Sequence, residues 1–253
     1  MFSKIGLQLY TIRDYMSDAD TIRESFKKLK AIGYDQAQTA GSGGITHKEM
    51  AKIAKEEGIE IVGTHYNFAM MKNEFEATIE DHIALGTTNV GIGGFMCHSI
   101  EEAKGLVATI NEVAAKLKQK GMKFTYHNHS HEFQKFDGVT VWEYLVENLD
   151  KDNVSFVLDT YWVQHAGGDV CKWIEKLAGR IDILHLKDMA VKGNDPYITE
   201  CGNGNLDFGE ILTIAEKTGV KYIVVEQDLN WIDDDPFKAV ETSYNNLKKY
   251  LSK

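Results

Sequence analysis

Cysteine is scarce in this chain, and its placement excludes two fold classes. Cys97, Cys171 and Cys201 are odd in number, far apart and free of any C-x-x-C pair. Neither a zinc knuckle nor a disulfide framework is expected, and free thiols fit a reducing compartment. Long apolar runs are missing too. Nothing approaches the roughly 20 apolar residues of a membrane span, and the opening Met1-Phe2-Ser3-Lys4-Ile5 lacks the apolar core of a signal peptide. A cytoplasmic protein with no membrane partner is the expectation. Positive charge is also short: 28 Lys and Arg stand against 38 Asp and Glu, a formal net charge of −10. A surface of that sign repels phosphate backbones and disfavours a nucleic-acid partner. No linker or low-complexity tract divides the 253 residues, so a single domain over 1–253 is expected.

What is present is a regular punctuation. Six times a segment rich in Lys, Glu, Ala and Leu ends near a glycine and a short β-like run follows, at Gly33, Gly58, Gly86, Gly121, Gly179 and Gly219. Glycine just past a helix takes the left-handed conformation that closes the last turn without a Cβ clash. A seventh join, at 148–154, is built of Asn and Asp, which tolerate the same conformation. With an opening strand at 5–9 this predicts eight strands, at 5–9, 34–38, 59–65, 88–92, 123–128, 154–159, 181–186 and 221–226. Helical patterns alternate with them. The clearest, 100–120, repeats Ala103, Val107, Ile110, Val113, Ala114 and Leu117 at helical spacing. Eight strand–helix units imply a parallel sheet closed into a (β/α)8 TIM barrel. The open, doubly wound rival would carry a glycine-rich phosphate loop after its first strand, where this chain has Tyr10-Thr-Ile-Arg13-Asp.

In such barrels chemistry sits at the C-terminal ends of the strands. Read in turn, those ends supply Gln8 and Tyr10, His65, then His127, Asn128 and His129 with Glu132 nearby, then Asp159, His185 and Glu226. Three of them close apolar runs: Phe156-Val-Leu-Asp159, Ile183-Leu-His185 and Ile223-Val-Val-Glu226. Carboxylates there are costly to bury unless a cation or hydrogen bonds compensate them. Asp, His and Glu on three successive strands form a set that a divalent ion accepts. His127 or Glu132 is expected to join it, and His131 is expected to be solvated.

The chain resembles the sugar phosphate isomerase/epimerase group with the xylose isomerase-like barrel, which includes inosose dehydratase-like and endonuclease IV-like members. The resemblance rests on Tyr126-His-Asn-His129-x-x-Glu132-Phe133, Leu158-Asp159-x-Tyr-Trp162, His185-Leu-Lys187-Asp188 and Val225-Glu226-Gln-Asp228. It implies one Mn, Co, Mg or Zn-type ion held by Glu, Asp, His and Glu from strands five to eight. Asp159, His185 and Glu226 match that pattern, whereas the first glutamate's strand position is His127, with Glu132 a few residues on. His65 matches an active-site histidine after strand three. Trp162 is expected as a platform for a sugar face, and Gln8, Tyr10, His129 and Asp188 as further substrate contacts.

An ion chelated by neighbouring oxygens of a hydroxy-carbonyl sugar would stabilise an enediolate. Glu226, Glu132 and His185 are the candidate bases, and Lys187 is expected to hold a hydroxyl or phosphate oxygen. The expected activity is aldose–ketose isomerisation or epimerisation of a small carbohydrate. The alternative is a lyase or dehydratase that expels a β-leaving group from a keto-sugar, inosose or 3-keto-glycoside. A homodimer is a further expectation, since barrels of this kind often pair.

Overall fold

The computed structural model describes residues 2–252. Eight parallel strands form where the punctuation predicts them: Gly6–Gln8, Gln36–Ala40, Glu60–His65, Asn89–Ile92, Lys123–His127, Val154–Asp159, Ile181–Leu186 and Tyr222–Val225. Numbered one to eight in chain order, they pair as 3-2-1-8-7-6-5-4, which is the order of a TIM barrel. All six glycine joins take positive φ, from 71° at Gly58 to 124° at Gly33. The helix Ile100–Gln119 is capped by Ser99, whose side chain accepts from Glu102 N, and it buries the six positions that carry the predicted apolar stripe.

The seventh join differs from expectation. The helix Val141–Asn148 ends in extended backbone at Leu149, and no residue from 148 to 153 has positive φ. Asp150 makes the turn instead: its carboxylate accepts from the backbone N–H of Asp152 and Asn153 and from the Asn153 side chain. A short acidic side chain that can bond the backbone two residues on replaces the left-handed residue. The sequence pattern also gives no sign of an antiparallel hairpin, Asp188–Lys192 with Asp195–Thr199, between strand seven and its helix Phe208–Lys217. Five-residue strands rich in charge and rising from the barrel have too little periodicity to register.

Strands three and four share no ladder among the described residues, so the barrel closes there by other means. Tyr66 N–H donates to Gly91 O at 2.7 Å, the Asn89 amide donates to Val62 O at 2.8 Å, and Gly91 N–H donates to Thr64 Oγ1 at 3.3 Å. Within the barrel, Val62, Val157, Ile183 and Val224 form a separate buried cluster. Gly63 faces it: a Cβ there would lie 2.6 Å from Ile183 Cδ1, so any larger residue would require that side chain to shift. Each buried Val or Ile contributes about 1.5–3 kcal/mol. This apolar plug forms the floor on which the polar strand ends sit. No helix among the described residues is long and apolar enough to cross a membrane.

Candidate active site

Each polar residue reaches the mouth because its strand ends there. Asp159 closes strand six and caps the helix Thr160–His165 that follows, its Oδ1 accepting from Trp162 N–H at 3.0 Å. Its other oxygen faces inward. His127 and His185 end strands five and seven, and Glu226 follows strand eight, its N–H bonded to Leu186 O. All four are buried. One donor atom from each lies within 4.8 Å of the others. His127 Nε2 stands 3.5 Å from Asp159 Oδ2, and His185 Nδ1 stands 3.8 Å from Asp159 Oδ2 and 3.1 Å from Glu226 Oε2.

The far nitrogens of the two imidazoles decide what the near ones offer. Gln38 Oε1 accepts from His185 Nε2 at 2.5 Å, and Gly93 O accepts from His127 Nδ1 at 3.4 Å. With the protons held on those outer nitrogens, both rings would turn a lone pair toward a cation placed between them and the two carboxylates. A carbonyl on the far nitrogen is how proteins orient metal-binding histidines. Two imidazole nitrogens and two carboxylate oxygens suit Zn²⁺, Mn²⁺ or Co²⁺. The residues present fit such an ion.

Electrostatics tighten the group. Lys187, just past strand seven, is buried with its ammonium 3.3 Å from Asp159, 2.9 Å from Glu226 and 2.8 Å from Asp228. Burial alone would raise the carboxyls of Asp159 and Glu226, but Lys187 and the imidazoles outweigh it and hold both below the usual range. Burial would lower Lys187, and its three acid neighbours raise it instead. Asp228 is pushed up, first by burial and then by Glu226. Burial and then the neighbouring His127 depress His65 well below its ordinary value and His129 to about 3, so both rings are neutral.

A cavity of 340 Å³ opens over these groups, lined among others by Tyr10, His65, His129, Lys187 and Asp228. Gln8 lies behind His65, its amide 3.3 Å from the ring, and Trp162 stands behind Lys187 and His129.

Two expected residues have their oxygens engaged by protein donors. Glu132 is fully buried outside the four-donor group, in a second group with His129 and His131 whose donor atoms could also hold an ion. Its oxygens accept from Tyr126 OH at 2.9 Å and His129 N–H at 2.8 Å, and the partly exposed His131 lies 3.2 Å from it. The 3-10 turn His131–Phe133 carries the glutamate off the strand axis, so it braces the loop and leaves the corner to His127. Asp188 accepts four backbone N–H groups, from Met189, Gly202, Gly204 and Leu206, and so shapes the 202–206 loop. Gln38 and Asp228 are the residues that the strand-end reading missed. Strand two runs two residues further than predicted, to Ala40, which turns Gln38 from a terminus into an inward-facing position. Asp228 signals itself only through the Glu226-Gln-Asp228 spacing, which places two acids on one side of an extended segment.

Comparison with known proteins agrees with this architecture. An inosose dehydratase of Clostridium perfringens is 26% identical over 60% of this chain and 54% of its own length, so the match spans about half of that relative. A crystal structure of a sugar phosphate isomerase/epimerase from Parabacteroides distasonis superposes with a TM-score of 0.83 at 23% identity, over 98% of this chain and 94% of that one. The IOLI protein, in a structure with a bound zinc atom, superposes at 0.74 with 17% identity over 99% and 100% of the two chains. A family model described as the xylose isomerase-like TIM barrel matches residues 26–250, and the chain belongs to that family.

Proposed function

We propose that the protein is a divalent-metal-dependent carbon–oxygen lyase that dehydrates a keto-sugar or inosose. His127, Asp159, His185 and Glu226 would hold the ion, which supplies Lewis-acid polarisation of a substrate carbonyl when bound. The observation that carries the reading is the identity of the fourth corner, a histidine. A carboxylate can bind a cation through one oxygen and take a proton on the other. An imidazole bound through Nε2, with its proton on Nδ1, has no lone pair left. The four-donor group therefore contains one carboxylate well placed as a base, Glu226, whose hydrogen bonds all fall on Oε2.

One base suffices for elimination. Glu226 removes the proton beside the carbonyl, the electron pair of that C–H bond forms the new C=C bond, the β C–O bond breaks, and the proton held by Glu226 passes to the departing oxygen, which leaves as water. Lys187, lining the cavity, donates hydrogen bonds to the departing oxygen. The name of the Clostridium perfringens relative, inosose dehydratase, supports the same reading.

A second reading is the isomerase or epimerase, and one observation favours it. His65 lines the cavity, is held neutral and has a buried Nε2 without a hydrogen-bond partner, which makes it a candidate second proton carrier. Incubating the Mn²⁺-loaded protein with inososes and ketoses in deuterated water separates the two. Elimination gives a product lighter by one water, whereas isomerisation loses no water and leaves deuterium on carbon. A panel that yields neither outcome would overturn both readings.

A further inference from the structure

Lys187 carries the ammonium that faces three buried or half-buried carboxylates, and it shares atoms with the candidate ligands. The oxygens it contacts, Asp159 Oδ2 and Glu226 Oε2, are the same atoms that face His127 Nε2 and His185 Nδ1. An ion drawing on those four donors must take two oxygens away from the ammonium. The third partner is different. Asp228 lies outside the four-donor group, and its side chain is 18% exposed at the cavity wall. Arg13 Nη2 donates to Asp228 O at 3.0 Å and fixes that segment from behind. The backbone of Lys187 is fixed as well, its N–H and C=O both bonded to Thr160 Oγ1.

We propose that Lys187 is a built-in competitor for the divalent ion, and that Asp228 is the acceptor onto which its ammonium withdraws when the ion enters. The inference rests on the metal reading above. Three carboxylates, one ammonium and one divalent ion sum to zero with the imidazoles neutral, so ion and ammonium can share the site. Before the ion enters, the ammonium offsets the repulsion between the acids and keeps them converged. After it enters, Lys187 retains Asp228 and turns its other two N–H groups toward the cavity. Lys187 is in this respect a positioning residue that sets how tightly the chain holds its ion.

The test is the dissociation constant of Mn²⁺ and of Zn²⁺, measured on the full chain by competition with a chromophoric chelator. Lys187→Met should tighten both by about tenfold or more, the order expected for deleting a unit charge a few ångströms from a divalent ion. Asp228→Asn should weaken both, and by more in the wild-type background than in the Lys187→Met background, because only the former has an ammonium to park. A purely structural lysine would give the opposite sign, weaker binding in Lys187→Met. That result, or an Asp228→Asn effect equal in both backgrounds, overturns the proposal. Lys187→Gln carries the same expectation and serves if Lys187→Met does not fold. A wild-type protein that binds neither ion would sink the metal reading and this inference together, whereas tight wild-type binding with no gain in the lysine variants would sink this inference alone.

Discussion

The two halves of the barrel do different work. Strands five to eight carry the charged set, His127, Asp159, His185 and Glu226 with Lys187 behind them, and each pairs with the next in a parallel ladder, with one register shift between Phe156 and Val157. Strands one to four contribute no carboxylate to the cavity. They supply Gln8, Gln38, Ala40, His65 and Gly93, which are neutral, and each polar one orients an imidazole or is one. The neutral half also contains the seam between strands three and four, where one backbone bond and two side-chain bonds stand in for the ladder. Converging like charges need a rigid frame, and ladder-bonded neighbours provide it. Second-half substitutions should therefore destroy function, and first-half ones should erode stability or tune the ligands.

The largest effect is expected in the charged half. Glu226→Gln keeps the shape of the side chain and removes its basicity, so solvent-hydrogen exchange beside the carbonyl should fall by about 10²–10⁴-fold. Mass spectrometry of the substrate in deuterated water measures it. Undiminished exchange would reassign the base.

The neutral half should show itself in acid. His82 sits under the seam, its Nδ1–H donating to Thr78 O at 2.7 Å and its Nε2 accepting from Thr64 Oγ1 at 2.8 Å. Burial, the first cause, lowers its pKa from 6.5 to about 4. The unfolded chain binds this proton below pH 6.5, whereas the folded one resists until about 4. The folded state therefore loses stability as pH falls through that window. At about 1.4 kcal/mol per unit the loss is roughly 3 kcal/mol. Urea unfolding between pH 7 and 4 should show the decline, and His82→Gln should flatten that part of it. An unchanged slope in the variant would place the acid sensitivity elsewhere.

A smaller effect links the halves. Gln38→Leu removes the acceptor that holds the His185 Nε2 proton, and affinity for Zn²⁺ should drop by about 10–100-fold with the fold retained. Full affinity in that variant would show that ladder geometry alone aims the imidazole.

The same division explains what could be read in advance. Glycine punctuation and apolar runs are local signals, so all eight strands were legible, as were the acids and imidazoles that end Phe156-Val-Leu-Asp159 and Ile183-Leu-His185. Gln38 was not, because an amide in Gln36-Ala-Gln38 resembles any polar strand residue until a partner 147 positions away in the chain is known. Glu132 shows the converse. Five residues past His127 it is near in sequence, yet the 3-10 turn spends it on Tyr126 and the His129 amide. Distance along the chain says little about which way a loop turns.

The smallest effect tests the seam itself. The Asn89 amide is buried and donates to Val62 O, one of few bonds joining strands three and four. In Asn89→Ala that carbonyl keeps its burial and loses its donor, a cost of about 1–3 kcal/mol. Urea unfolding at neutral pH should report the loss, and Zn²⁺ affinity should stay within about twofold, because additivity holds for separate sites. If affinity fell in step with stability, the neutral half would be part of the frame that holds the charged one, and the division of labour between the halves would fail.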